Sequence, residues 1–446
     1  GAYATLGLAA AAFGEAFARF KSNDFKGTEE LLKNPAGAFQ QAALKATNEL
    51  EVIRGYLLLG DAYFELKNYP AAEAAMIQLG SRPLTSEMGW RRQYLLAMSQ
   101  RANRQPDKAL QTVTNLVNLA KAATNPVWQA NSLMFRADIL ETQRPDEAIN
   151  TYEAITQIKG IPTVQSRQAA LKIATLYLGQ NRLTNAIARL EDYARQFPPD
   201  PDSDVIRLTL GELYLKRFRA LAEGASPASR PTNNWVEATN TLQLSRMNLD
   251  FIITTLTNSS LTGKAYLNRG WCSWEEAKLT DQPARFAESQ KDFQKAAGLL
   301  PVSDDQVEAW FKTADCQFEL KDYPNAIKSY QELLGRYANA PSVKTNSFDR
   351  ALYQIVRAAV EAEDFSGAKR ALERLLQEFP KSELSDDCQY VFSQALLNHG
   401  QPAEARSVLL DFQTRFGNSP LLPEARLLVA HAYVGETNWP AALGEL

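Results

Sequence analysis

The sequence predicts an all-α chain: a solenoid of antiparallel helix pairs, wound as a right-handed superhelix, with no β-sheet. Three observations predict it. One helix–turn–helix phrase is written three times along the chain. Small residues return early in each second helix at a near-constant interval, each followed four residues later by a large apolar one. A composition of 45% hydrophobic and 22% charged residues over 446 positions is that of an ordered protein.

The repeated phrase is Leu59–Ala72, LGDAYFELKNYPAA. It returns at Thr313–Ala326 as TADCQFELKDYPNA and at Val429–Ala442 as VAHAYVGETNWPAA. Each copy holds the end of a helix, a polar turn with Asn or Asp, an aromatic, a proline, then alanine. Asn and Asp suit the turn. The proline falls in the first turn of the next helix, where its missing N–H costs nothing. In that second helix a small residue recurs as Ala72, Ala109, Ala148, Ala186, Ala326, Ala368, Ala405 and Ala442. Where consecutive, these lie roughly 37 to 42 residues apart. Met76, Val113, Tyr152, Leu190, Tyr330, Leu372 and Leu409 follow four residues later, on the same helix face. First helices carry a matching small column, Gly60, Ala174, Gly211, Gly270, Ala314 and Ala430. The small residue lets two helices approach, and the large one fills the space beside it. Residues 1–446 are read as one continuous array of about ten or eleven units, because such arrays grow without a single central core.

Some segments depart from the rhythm. Residues 222–234, AEGASPASRPTNN, read as a loop insertion from their Gly, Ser and Pro content. The helix after them, near Trp235 to Leu256, is long, and a smaller insertion is expected near Lys278 to Arg285. Ala2 to Phe13 reads as the first helix of the array, since it lacks the basic start of a signal peptide, and a degenerate first unit is expected near Phe13 to Leu32. The sequence stops at Leu446 just inside a second helix, without a polar capping helix, and is read as part of a longer chain.

Composition also narrows function. The net charge is -3 and no long basic run occurs, so nucleic acid is not an expected partner. No apolar stretch is long enough for a transmembrane segment. Cys272, Cys316 and Cys388 replace alanines of sister units and are expected to be buried free thiols. With His399 and His431 they show no metal-ligand spacing. No phosphate-binding loop, dinucleotide fingerprint, zinc-protease motif or nucleophile elbow is present. The chain is read as non-catalytic, with no cofactor.

Taken as a set, these columns resemble the tetratricopeptide repeat (TPR) family over most of the chain, although the spacing exceeds its standard ~34 residues. The resemblance implies a TPR-type α-solenoid that scaffolds other proteins or peptides along its concave groove. Arg195–Tyr214, Phe379–Leu396 and Arg415–Tyr433 are similar to repeats of bacterial envelope proteins, the outer-membrane assembly lipoprotein BamD and the Tol–Pal-associated coordinator proteins. That likeness implies a periplasmic or outer-membrane-associated adaptor, with a membrane-associated or large-assembly partner. The readings kept beside it are a cytoplasmic peptide-binding adaptor and the substrate-selecting region of an enzyme whose catalytic domain lies beyond Leu446. The Lys/Asn clamp by which some members of the family hold a C-terminal carboxylate is not found: Asp61, Trp271 and Asp315 stand where Asn is wanted.

Helical spacing places Phe64, Trp271, Trp274, Phe311, Phe318, Tyr353 and Tyr390 on the inner face of first helices. These aromatics are the expected partner-binding residues, as anchors for an extended or helical peptide. Trp271, Trp274, Phe311 and Phe318 are expected to form the strongest patch, partly buried, with Asp315 and Glu275 as a rim suited to a basic or polar peptide.

Overall fold

The computed structural model describes residues 2–34, 37–45, 49–197, 203–223, 233–280, 282–339 and 341–446; for 2–9, 233–234 and 341–346 only the backbone is described. All regular structure among the described residues is helical, as expected. The chain divides into two compact units, residues 1–198 and 199–446, each taken by itself below. Unit 1 holds α1 (Ala2–Lys21), α2 (Phe25–Lys33), α3 (Ala38–Lys45), α4 (Glu49–Glu65), α5 (Tyr69–Leu79), α6 (Ser86–Ala102), α7 (Pro106–Ala122), α8 (Pro126–Leu140), α9 (Pro145–Thr156), α10 (Thr163–Gly179) and α11 (Leu183–Gln196). Unit 2 begins with α12 (Asp204–Ala222), α13 (Asn233–Thr255), α14 (Thr262–Thr280), α15 (Ala284–Leu299), α16 (Asp304–Glu319), α17 (Tyr323–Arg336) and α18 (Pro341–Glu361). It continues with α19 (Phe365–Glu378), α20 (Ser385–Asn398), α21 (Pro402–Leu409), α22 (Phe412–Arg415), α23 (Leu422–Gly435) and α24 (Trp439–Glu445). Within each unit, helices adjacent in sequence pack on one another and build a solenoid of helix pairs.

One turn geometry joins the pairs. Asn23, Lys67, Arg104, Asn181, Lys321, Glu363, Gly400 and Thr437 all have positive φ, from 57° to 72°. In each case the next residue's N–H bonds back to the carbonyl five residues earlier; Asn68 N–H to Tyr63 O at 2.8 Å is typical. This is the 6→1 bond that closes a helix whose last residue turns left-handed. Glycine fills that position only once here. The Asn or Asp next in line then caps the following helix: Asp24, Asn68, Asp364 and Asn438 accept from the N–H three residues on. An aromatic pair often seals the turn, with ring centroids 5.2 Å apart for Phe20–Phe25 and 5.4 Å for both Phe64–Tyr69 and Phe318–Tyr323.

The small and large columns meet as expected. A Cβ on Gly270 would come within 2.8 Å of the Phe293 ring, and one on Gly211 within 2.7 Å of Leu249. These contacts locate two units that the alanine column misses. Ser245 and Ser289 take the alanine place there, fully buried, and donate to the carbonyls of Gly211 (2.6 Å) and Gly270 (2.8 Å). Their hydroxyls also meet Cys272 and Cys316 at 3.2 and 3.5 Å. All three cysteines are free and buried.

Two expectations need adjustment, and a third falls mostly outside the described residues. The first unit is not a simple pair, because the short α3 packs between α1 and α4. The expected insertion at 278–285 is mostly helix: α14 runs to Thr280 and α15 starts at Ala284. Of the loop at 222–234, residues 224–232 lie outside the described residues, as do Pro198 and Pro199. The long helix that follows is α13, with 23 residues.

Candidate binding site

The inner edges of α14, α16 and α18 enclose a pocket of about 340 Å³ in unit 2. Helical spacing supplies its walls. Trp271, Trp274, Glu275 and Lys278 come from α14, Lys312, Asp315, Phe318 and Glu319 from α16, and Gln354 and Arg357 from α18. Residues three, four and seven apart share a face.

An ion pair forms its base. Lys312 Nζ lies 2.7 Å from Asp315 Oδ2, with only 8% and 10% of the two side chains exposed. The same ammonium sits 3.1 Å from the ring centroid of Trp274 and 4.8 Å from that of Trp271, a cation held between two indole faces. Burial lowers the Lys312 pKa from the usual lysine range, and Asp315 opposes that shift. Asp315 Oδ1 accepts from the Tyr330 hydroxyl and, at 3.4 Å, from Gln354 Nε2. Burial, with Asp315 beside it, raises the Tyr330 pKa well above its usual value. A similar contact occurs in unit 1, where the single hydroxyl proton of Tyr152 is shared between Asp138 at 2.5 Å and Glu141 at 2.6 Å. Where the large second-helix residue is Tyr, it can thus reach an acid on the partner helix.

Trp271 forms one wall. Its Nε1 donates to Glu308 Oε1 at 2.7 Å, and the Arg219 guanidinium covers its face at 4.7 Å while pairing with Glu275 at 3.1 Å. Trp274 stands edge-on to it at 6.3 Å and packs against Phe286 at 5.0 Å.

The structure sorts the expected anchor residues. Trp271, Trp274 and Phe318 line the pocket, and Phe318 also seals its own turn. Trp274 is only 5% exposed, so the expectation of a partly buried pair fails for this ring: the Phe286 contact draws it into the core. Phe311, also 5% exposed, is a core residue edge-on to Tyr330 at 5.3 Å and does not line the pocket. Tyr353 is half-buried, its hydroxyl bound to Asp387. Tyr390 is half-buried against the cluster around Leu409 and Phe412. Phe64 lies in unit 1 and packs in its turn against Tyr69.

The rim also differs from the expectation. Glu275 and Asp315 are already neutralised, by Arg219 and Lys312. The pocket residues without an ion-pair partner among the described residues are Lys278, Arg357 and Glu319. Lys278 lies 5.0 Å over Trp274, and Arg357 lies 4.8 Å over Phe318 and bonds Gln354 at 3.0 Å.

Lys312 is the main residue that sequence reasoning missed. Its signal was present: one lysine within reach of two tryptophans spaced a helical turn apart on the preceding first helix. Also missed is a ladder of rings in unit 1. Trp90 stacks on Trp128 at 5.4 Å and on Tyr94 at 5.2 Å, and Tyr94 meets Phe135 at 5.4 Å. Spacings of four and seven residues on α6 and α8 carried that signal. Among the described residues no cluster of potential metal ligands occurs, and no helix is long and apolar enough to cross a membrane.

Residues 168–199, 308–340 and 350–382 match the tetratricopeptide repeat family. The search of curated proteins finds no match. Among solved structures the chain is similar to the C-terminal part of a TPR repeat-containing protein from Cytophaga hutchinsonii, with 14% identity over 74% of this chain and 98% of that one and a TM-score of 0.41. It is also similar to a putative kinesin light chain of Podospora anserina with nearly identical TPR-like repeats, with 14% identity, 39% and 89% coverage and a TM-score of 0.32. The apo form of RapI gives 9% identity, 92% and 99% coverage and a TM-score of 0.37. At this level of likeness no property of those proteins passes to this chain.

Proposed function

From a chain that carries tetratricopeptide repeats, and so a fold that scaffolds protein–protein interactions, we propose a scaffold that holds an extended segment of a partner on the inner face of α14, α16 and α18. The observation that carries this reading is the pocket itself. It joins the accessible edge of Trp271 to Phe318 and to three charged groups with no ion-pair partner among the described residues, Lys278, Arg357 and Glu319. An aromatic anchor beside unmatched charge is the composition of an interaction hot spot. The buried Lys312–Asp315 pair fixes the ring orientations before a partner arrives, which lowers the ordering cost of binding. Trp271 is the anchor, and Lys278 and Arg357 select polar or acidic groups on the segment.

The envelope-type likeness of Arg195–Tyr214, Phe379–Leu396 and Arg415–Tyr433 supports a periplasmic or outer-membrane-associated setting for this scaffold. Osmotic-shock fractionation of the native host tests that setting, and recovery with the cytoplasmic fraction would reject it. The binding site is tested by placing a photo-crosslinking amino acid at position 319 in the native cell. The captured segment should be lost when Trp271→Ala is added, and its affinity for the purified variant should fall about thirtyfold. Capture that is indifferent to Trp271 would place the partner elsewhere.

A further inference from the structure

A second opening lies on the side of the second helices, where α21 ends early. The second helices α17 and α19 each run 14 residues, whereas α21 stops after 8, at Leu409. Gln389 of α20 accounts for the stop. Its Nε2 donates to the Val408 carbonyl, which a continuing helix would offer to the Phe412 N–H, and to Asp411 Oδ1 at 2.9 Å. The chain turns at Leu410 into the single turn of α22. The shortened helix leaves a cavity of about 570 Å³ between α19 and α21, floored by α20. That volume lies within the range of about 300 to 1,000 Å³ in which proteins hold ligands.

The floor is apolar: Phe392 and Leu396 are buried there, and Leu372 is buried at its α19 side. Leu410 stands at the edge with 80% of its surface exposed, next to that floor. Carboxylates outnumber cations in the lining: Glu373, Glu404 and Asp411 stand against Lys369 and Arg415. Gln389 is 1% exposed, and its Oε1 has no hydrogen-bond partner among the described residues. Glu373 and Glu404 have no ion-pair partner among the described residues, while Arg415 is tied to Asp411. Lys369 is the one lining cation without an ion-pair partner among the described residues.

We propose that this cavity docks a basic amphipathic segment of a partner protein. A large apolar side chain sits on Phe392 and Leu396 beneath Leu410, and flanking Lys or Arg groups reach Glu373 and Glu404. An acidic segment would add charge to a rim already in excess of carboxylates. The proposal is independent of the inner-face pocket, which lies on the first helices.

The test uses the full chain and a short fluorescein-labelled peptide of Leu and Lys in amphipathic helical order, read by fluorescence anisotropy. The expected result is saturable binding that Leu410→Ser weakens about tenfold. Leu410 is too exposed for that change to disturb the fold, and circular dichroism checks this. Glu373→Gln with Glu404→Gln should weaken binding about fivefold, while Trp271→Ala and the control Glu424→Gln should leave it unchanged. Equal binding of the matching Leu/Glu peptide would overturn the proposal. So would an affinity that none of the cavity variants alters, or one that Trp271→Ala abolishes.

Discussion

Replacing Asp315 by alanine should be among the most damaging single changes in unit 2. The carboxylate serves three donors at once, the Lys312 ammonium, the Tyr330 hydroxyl and the Gln354 amide. Lys312 has 8% of its side chain exposed and cannot recover its hydration when the partner leaves. A stranded buried charge costs about 3–5 kcal/mol, and the orphaned Tyr330 hydroxyl adds about 1 kcal/mol or more. The loss should shrink as pH rises. Burial holds the folded pKa of Lys312 below its unfolded value, so between the two the unfolded chain binds more protons and stability rises with pH. Without Asp315 to oppose burial, that rise should begin at lower pH. The double variant Lys312→Met with Asp315→Asn keeps the volume and leaves Tyr330 an acceptor. It should lie within about 1.5 kcal/mol of the parent. Urea unfolding followed by tryptophan fluorescence suits the measurement, because the rings of Trp271 and Trp274 touch Lys312. An Asp315→Ala loss below about 1 kcal/mol would refute the reasoning, as would a double variant as unstable as the single one.

The two tryptophans should behave differently. Trp274→Ala should lower stability by about 3–5 kcal/mol because the ring is core, while Trp271→Ala should cost much less, a contrast that thermal melts of the two variants would show. Gly270→Ala should cost about 1–3 kcal/mol, since its Cβ would press on Phe293 at 2.8 Å; the added Phe293→Leu change should recover part of that loss in the same melt. The cysteines should ignore a thiol reagent at neutral pH until the chain unfolds, because burial pushes the thiols of Cys272 and Cys316 up to about 11 and about 12. With folded values above the unfolded ~8.5, their contribution holds below that pH and is lost as pH rises through the folded values. Cys272→Ala with Cys316→Ala should therefore flatten the alkaline fall in melting temperature at a cost of about 1 kcal/mol each; rapid labelling of the folded chain would contradict this.

The sequence by itself determined the repeat. A four-residue step between a small and a large residue can be read without coordinates, because both lie on one helix face whatever surrounds them. The same holds for the turn phrase and for the cysteines, which occupy the alanine places of sister units. In two units, found by Gly211 and Gly270, the second-helix small residue escaped because Ser245 and Ser289 replace alanine, and a serine gives no sign in sequence of whether its hydroxyl will find a carbonyl across the helix pair. The left-handed turn residue escaped as well, since Lys67, Lys321 and Glu363 carry none of glycine's signature. The site divides along the same line. Spacing alone put Trp271, Trp274 and Phe318 on one inner face. Only the tertiary structure decided that Trp274 and Phe311 are core, that Lys312 lies between two indoles, and that Glu275 and Asp315 are already paired. Helical periodicity fixes the direction in which a side chain leaves its own helix. Depth of burial and the choice of charge partner depend on the neighbouring helices, whose distance is set by side chains tens of residues away.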